Sequence, residues 1–257
     1  MATVKDILDY IYSIAPASYR MDWDNIGLMC GHSDREVTKI LVALDASLSV
    51  AQEAKKLGCE LVAVHHPLIF TSTHTVSDET ITGQRLLAYL ENGLSVISMH
   101  TNLDCAPGGV NDLLAQRLGL RDIQVLQEGE MEHLVRYGEV TPQTLAQFLP
   151  FVKKQLSCEG LRYVDGGKAV RCVAVGGGAC GEYITQILEL GCDTFVTADI
   201  NYHRFMDAGE LGVNLIDAGH FETENPVCAD LAEKLRAAFP QIRVFLSETH
   251  ADCIKFA

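Results

Sequence analysis

The sequence predicts an α/β protein built from two similar α/β lobes with mostly parallel sheets. Short runs rich in β-branched residues alternate with amphipathic stretches of helical length, which is typical of strand–helix–strand units. This alternation extends through both halves of the chain. The 257 residues suffice for two modest domains, and the hydrophobic content of 48% is ordinary for a globular core.

The predicted elements of the first half begin with a helix after Thr3. Thr3 and Asp6 have the spacing of a capping box, apolar residues follow at helical intervals, and Pro16 ends the helix. Strands and helices then alternate, and a glycine closes each later helix. We predict helices over 47–57, 80–92 and 110–118, and strands over 40–44, 60–64 and 94–98.

An acidic segment separates the two halves. Residues 124–134 include Glu128, Glu130 and Glu132 and are predicted to be a solvated connection with a domain boundary near residue 125. We expect a first lobe over 1–125, completed by 225–257, and a second lobe over 126–224. A helix is predicted to start with Thr141 as N-cap and Pro142 as its first residue. The remaining predicted elements are strands over 170–175, 194–197, 213–216 and 242–246 and helices over 183–190 and 224–239.

Charge and cysteine content limit the possible partners and the location. The formal net charge of −14 disfavours a broad nucleic-acid surface, which would need Lys and Arg to neutralise phosphates. The N-terminus has no basic segment followed by an apolar one, and no stretch approaches the ~20 apolar residues of a membrane span. Nine cysteines without a CxxC pair indicate reduced thiols. We therefore expect a cytoplasmic protein without a membrane partner.

Two adjacent histidines, His65 and His66, follow the predicted strand over 60–64. Neutral imidazole is a common ligand for zinc, iron and related metals. Successive strand residues point to opposite faces, but this constraint relaxes in the turn after a strand, so both rings can reach one site. One interpretation is a pair of neighbouring metals. The other is one structural and one solvent-exposed histidine.

Other polar residues also occupy the ends of predicted strands, where ligands bind in open α/β sheets. Glu224 follows His220 by four residues and would share its helix face. Histidines and carboxylates together suit a pair of metals such as Zn, Fe, Mn or Ni. The alternative is a set of unrelated polar strand ends. The residues are His65, His66, His100, Asp104, Asp199 and His220, with Glu224 added by spacing.

Three further features each allow two interpretations. His100 could orient a ligand or a bound water, or could be a hydrogen-bonded strand-end residue. His203 could face the same site or lie on the surface. The run Gly176–Gly178 precedes a predicted helix and could hold a phosphate, although it lacks the P-loop pattern, or could form a tight strand-to-helix turn.

Five motifs follow one another along the chain. They are Trp23-Asp24-Asn25-x-Gly27-Leu28, Val64-His65-His66-Pro67, His100-Thr101-Asn102-Leu103-Asp104, Thr197-x-Asp199-x-x-x-His203 and Asp217-Ala218-Gly219-His220-x-x-Thr223-Glu224. In this order and spacing they make the chain resemble the GTP cyclohydrolase I type 2 homologue family, also called the Ngg-interacting-factor-three-like family. The matching region extends from about residue 20 to residue 224, and the chain resembles the compact form without an inserted middle domain.

The resemblance implies two α/β lobes with a dinuclear metal site in the cleft between them, and assembly into a ring-like homohexamer. Asp104 and Glu224 would bridge the two divalent ions, and His100 would lie beside the site as a proton-transferring residue. By matching positions, the implied metal ligands are His65, His66, Asp104, His220 and Glu224.

The resemblance also implies a metal-dependent hydrolase. Its small-molecule substrate would be GTP, opened at the guanine ring, or a related nucleotide or phosphoester. The alternative from a different class is a metal-binding protein without turnover, acting as a metal chaperone or as a regulatory or assembly partner.

Overall fold

The computed structural model describes residues 1–127 and 133–257. In these residues the chain divides into two compact units, Met1–Ala106 with Val227–Ala251 and Pro107–Pro226 with Asp252–Ala257. Each unit combines one β-sheet with helices, so the predicted α/β class is confirmed. Glu128, Glu130 and Glu132 of the predicted acidic connection lie outside the described residues.

The elements alternate along the chain much as the sequence predicts. The helices are α1 (Val4–Ile14), α2 (Leu48–Leu57), α3 (Ile81–Glu91), α4 (Thr101–Cys105), α5 (Val110–Arg117), α6 (Leu145–Leu156), α7 (Ile184–Glu189), α8 (Tyr202–Leu211), α9 (His220–Glu224) and α10 (Pro226–Ala238), with 3-10 turns at Ala17–Tyr19 and Gly181–Tyr183. The strands are β1 (Gly27–Cys30), β2 (Lys39–Ala43), β3 (Leu61–Val64), β4 (Ser95–Ser98), β5 (Arg121–Val125), β6 (Arg136–Gln143), β7 (Arg162–Val164), β8 (Val170–Val175), β9 (Thr194–Thr197), β10 (Asn214–Asp217) and β11 (Arg243–Leu246).

The first unit contains a five-stranded sheet with the order β1-β4-β3-β2-β11. Only the edge strand β1 is antiparallel to its neighbour in this sheet. Strands β2, β3 and β4 are almost wholly buried, as expected for parallel strands that are covered on both faces. Helix α1 begins with the predicted capping box, in which Thr3 and Asp6 bond each other's backbone N–H groups.

The second unit contains a six-stranded mixed sheet with the order β5-β6-β8-β9-β10-β7. Its centre, β8-β9-β10, is parallel, while β5, β6 and β7 join in antiparallel fashion. Phe148 and Val152 of α6 pack with Val173 and Val196 of the sheet in its core. The carboxyl ends of the parallel strands carry Asp199 and His220, as the sequence pattern suggests.

The division between the units falls earlier in the chain than the boundary predicted near residue 125. Helix α5 lies in the second unit, because Leu114 and Leu118 pack in the same apolar cluster as Phe148. Strand β5 then pairs with β6 of the second sheet. The chain returns to the first unit at Val227, so α10 and β11 belong with the N-terminal elements.

The predicted helix start at Thr141-Pro142 is wrong. Pro142 lies in β6, at an irregular stretch of the β6–β8 pairing where a missing N–H is tolerated. The helix begins three residues later, because Thr144 and Gln147 form a complete capping box.

No helix within residues 1–127 and 133–257 is both long enough and apolar enough to cross a membrane.

A buried arginine provides a stability test in the second unit. Arg136 is 1% exposed, and its guanidinium donates hydrogen bonds to the Asp112 carboxylate and the His133 carbonyl. Asp112→Ala is expected to lower the free energy of unfolding by about 3–5 kcal/mol, because it removes a carboxylate that pairs with a buried cation. Urea unfolding of the variant and of the unmodified protein measures this loss of stability. Asp207→Ala, at a surface ion pair, should cost at most about 1 kcal/mol, and equal losses in the two variants would contradict the prediction.

Candidate metal centre

The turn after β3 brings the rings of His65 and His66 together. The backbone N–H groups of both residues donate to one carbonyl, that of Leu44, at 3.1 and 2.9 Å. The chain therefore leaves the extended strand at this point, and the two ring centroids lie 5.0 Å apart. The two rings therefore lie together in the turn after the strand, as the sequence analysis allows.

Hydrogen bonds at Nδ1 fix the orientation of both rings. His65 Nδ1 lies 2.7 Å from the Met99 carbonyl oxygen, and His66 Nδ1 lies 2.8 Å from Asp45 Oδ1. A carbonyl or an ionised carboxylate can only accept, so each Nδ1 carries the proton. The lone pair of each ring is then on Nε2, the nitrogen that can bind a metal.

His100 completes a group of three histidines in the first unit. Its ring centroid lies 5.3 Å from that of His65 and 5.7 Å from that of His66. One ring nitrogen from each of the three lies within 4.8 Å of the others, which is close enough to hold a metal ion.

Asp24 holds the ring of His100 in place. Its Oδ1 lies 2.8 Å from His100 Nδ1, and its Oδ2 accepts from the Thr101 N–H at 3.0 Å and from the Thr101 hydroxyl. Burial raises the pKa of the Asp24 carboxyl, but the bonds from His100 and Thr101 outweigh burial and lower this pKa to about 2. The carboxylate is therefore ionised at neutral pH and keeps Nε2 of His100 as the accepting nitrogen.

Asp104 is the buried carboxylate of this group. It lies on α4, whose first turn forms when the N–H groups of Leu103 and Asp104 donate to the His100 carbonyl. This short helix turns the Asp104 side chain back toward the histidines, and Oδ1 lies 3.5 Å from His65 Nε2. The first unit thus brings together four predicted site residues: His65, His66, His100 and Asp104.

In the second unit, α9 presents His220 and Glu224 on one face. His220 Nε2 lies 3.1 Å from Glu224 Oε2, as their i, i+4 spacing predicts. Asp199 Oδ2 lies 2.8 Å from His220 Nδ1. Asp199 is the second residue after β9, and it adopts a left-handed backbone conformation with φ of 53°, which Asp tolerates better than most residues.

The glycine run Gly176–Gly178 forms a tight turn against α9. Its N–H groups donate within the unit, that of Gly177 to Asn111 Oδ1 at 2.7 Å and that of Gly178 to Thr223 Oγ1 at 3.0 Å. The run therefore forms a tight strand-to-helix turn, and the Gly177 and Gly178 amides bond side chains of α5 and α9 rather than a phosphate. A Cβ on Gly178 would lie 2.3 Å from Glu224 Oε1 and 3.2 Å from the His220 ring.

Each unit offers donors that fit a metal. In His65, His66, His100 and His220, Nδ1 bonds an oxygen acceptor, so Nε2 is the ring nitrogen that remains available to a metal, the usual arrangement of metal-binding histidines. Asp104 and Glu224 add carboxylate oxygens beside these nitrogens. Mixed imidazole and carboxylate donors suit Zn, Fe, Mn or Ni.

A cavity of about 200 Å³ lies in the second unit beside His220. Arg162 lines it, and the Arg162 guanidinium bonds the Asp217 carboxylate and lies over the Phe205 ring. For His203, the sequence allowed either a position at the site or one on the surface. It is exposed on α8, and its ring contacts the Tyr202 ring.

The sequence reasoning missed the carboxylates that orient the histidines. Asp45 follows β2 closely, so the strand-end rule applied to that strand would have found it. Asp24 lies in a turn that precedes β1, and no strand-end signal points to it. Asp199 was recognised as a strand-end residue, but its contact with His220 was not predicted.

Removing one orienting carboxylate should weaken metal binding without removing a ligand. Asp199→Ala is expected to lower metal affinity about 10- to 100-fold, because the His220 ring loses the acceptor that fixes its orientation. Competition with a chromophoric chelator measures this affinity. Asp230→Ala removes a carboxylate that pairs with Lys234 on α10 and serves as the control. The same affinity in both variants would show that Asp199 does not support the site.

Similar proteins are found both by sequence and by structure. A Clostridium perfringens protein named GTP cyclohydrolase 1 type 2 homolog is 33% identical over 238 residues, covering 91% of each chain. A Clostridium acetobutylicum protein of the same name is 31% identical, covering 98% of each chain. The crystal structure of Staphylococcus aureus hypothetical protein SA1388 has a TM-score of 0.91 at 28% identity and covers 99% of each chain.

The model of the Duf34/NIF3 (NGG1p interacting factor 3) family matches residues 2–253, nearly the whole chain. The family inferred from the five sequence motifs is therefore confirmed. This chain belongs to the Duf34/NIF3 family.

Proposed function

We propose that the protein is a dinuclear metal-dependent hydrolase that opens the guanine ring of GTP or hydrolyses a related nucleotide or phosphoester. The observation that carries the proposal is a set of three imidazoles, those of His65, His66 and His220, in which Nδ1 bonds an oxygen acceptor and Nε2 remains available to a metal. The name GTP cyclohydrolase 1 type 2 homolog, borne by relatives about 30% identical, supports the substrate class.

In this proposal five side chains would hold two divalent ions. The ligands would be His65, His66, Asp104, His220 and Glu224. Asp104 and Glu224 would be the ligands shared by the ions, because each carboxylate has two oxygens to offer. Two such ions, when bound, lower the pKa of a water molecule and neutralise the negative charge that develops in the transition state.

His100 is the proposed proton-transferring residue. Asp24 holds Nδ1 and leaves Nε2 to accept a proton from the attacking water and return it to the leaving group. The His100 side chain is 15% exposed, so it is largely shielded from bulk water yet accessible to a substrate.

The direct test is turnover by reloaded protein. Chelator-treated protein would be reloaded separately with Zn, Mn, Ni or Fe(II) and assayed for formate release from GTP and for hydrolysis of phosphodiesters. Metal-dependent turnover that is lost in His100→Ala, with metal content retained, supports the proposal. Metal binding without turnover of any of these substrates contradicts it and favours a metal chaperone or assembly partner.

We also propose the assembly that the family resemblance implies, a ring-like homohexamer. Light scattering after gel filtration would give six times the mass of one chain. A mass equal to one chain across the working concentration range would contradict it.

A further inference from the structure

Two large aromatic side chains are exposed beside the histidine group of the first unit. Trp23 is 57% exposed and Phe70 is 54% exposed. Their ring centroids lie 5.8 Å apart, and each lies 6.0 Å from the centroid of His100. Trp23 and Phe70, here called the aromatic platform, thus adjoin a residue of the candidate site.

The backbone under the aromatic platform is fixed even though the rings are exposed. Asp24, the residue after Trp23, bonds His100 and Thr101 and donates its own N–H to the Met21 carbonyl at 3.0 Å. The side-chain amide of Asn25 donates through Nδ2 to the carbonyl of Ile69, the residue before Phe70, at 2.7 Å. These bonds tie both aromatic residues to the loop that carries His100.

Exposed apolar rings on a fixed backbone gain free energy when a partner covers them. Burying such rings is favourable, and here each leaves more than half of its surface in water. The three rings meet edge to face, at interplanar angles of 62°, 74° and 84°. A flat partner can therefore stack on an outward ring face without displacing His100.

We propose that the aromatic platform stacks the planar heteroaromatic ring of the substrate, a purine base, and so positions that ring beside His100. This inference rests on the proposed function, because it assigns the base of the nucleotide to Trp23 and Phe70. Stacking on aromatic side chains favours a nucleobase over a sugar or a phosphate, which have no π-face. Base recognition and proton transfer are then carried by adjacent residues of one unit.

The chain contains a single tryptophan, so its fluorescence reports on the platform alone. Metal-loaded full-length protein would be titrated with guanosine, GTP and inorganic triphosphate. Guanosine and GTP are expected to quench Trp23 fluorescence saturably, while inorganic triphosphate leaves it unchanged. Equal quenching by inorganic triphosphate, or no quenching by guanosine and GTP, would overturn the proposal.

Variants test the contribution of each ring. Phe70→Leu keeps an apolar side chain but removes the π-face, and is expected to weaken guanosine binding at least about fivefold. Trp23→Ala, measured by equilibrium dialysis, is expected to weaken it about 5- to 150-fold. Tyr202→Leu removes a 72% exposed aromatic ring from α8 and is the matched control. Unchanged guanosine affinity in both platform variants, or an equal loss of affinity in the control, would refute the stacking of the base on the aromatic platform.

The outcomes separate this inference from the proposed function. Quenching by guanosine without turnover under any metal leaves the aromatic platform standing and removes the hydrolase. Turnover of GTP with unchanged KM in Trp23→Ala and Phe70→Leu leaves the hydrolase standing and removes the platform. Circular dichroism of each variant confirms that it is folded before its binding is compared.

Discussion

Asp104→Ala is expected to abolish hydrolysis and to lower metal affinity by more than the ~100-fold that loss of an orienting carboxylate can cost. Asp104 is 5% exposed and its Oδ1 lies 3.5 Å from His65 Nε2. In the proposed centre it would be one of two carboxylate ligands, and an alanine side chain offers no donor atom in its place. Metal content and turnover of the purified variant measure the effect.

The matched control for this substitution is Asp9→Ala. Asp9 is an exposed carboxylate that pairs with Lys5 on α1, so its removal should leave metal content and activity unchanged. Full metal content and activity in Asp104→Ala, with a native circular dichroism spectrum in both variants, would exclude Asp104 from the centre.

Gly178→Ala is expected to disable the second-unit ligands without altering either of them chemically. Gly178 has φ of 61°, and an added Cβ would lie 2.3 Å from Glu224 Oε1 and 3.2 Å from two atoms of the His220 ring. The Glu224 carboxylate is 4% exposed and has little room to retreat. We therefore expect metal affinity to fall about 10- to 100-fold, as for loss of a ligand-orienting group.

Gly191→Ala separates backbone strain from this steric effect. Gly191 also has a left-handed backbone, with φ of 78°, but a Cβ there would have nothing within 4 Å. Both variants should lose about 1–2 kcal/mol of stability from the left-handed conformation. Only Gly178→Ala should lose metal, and equal metal affinity in the two would contradict the packing of Gly178 against Glu224.

The sequence predicts the central strands well, because buried strands depend on a local pattern. Strands such as β8 and β9 are short apolar runs, and their predicted bounds agree with the structure. The rule that ligands collect at the carboxyl ends of parallel strands selected His65, His66, His100 and His220 from nine histidines, and the structure groups the first three. Their role as metal ligands stays a prediction.

The missed elements have physical reasons. Strands β5 and β7 lie at the edges of the second sheet and are largely exposed, so they have no apolar run to reveal them. Helix α4 has five residues, too few for a helical period to emerge from the sequence.

The residues that orient the site were also difficult to predict, because their partners are distant in sequence. Asp24 reaches His100 across 76 positions, and Asp45 reaches His66 across 21. These contacts form only in the folded protein, so no local pattern pairs either carboxylate with its histidine. Trp23 and Phe70 likewise become neighbours through the hydrogen bond of Asn25 to Ile69.

Anomalous diffraction from crystals of metal-loaded protein tests whether five side chains hold two cations. Two anomalous peaks per chain are expected, ligated by His65, His66, Asp104, His220 and Glu224. A single peak, or peaks ligated by other residues, would contradict this expectation.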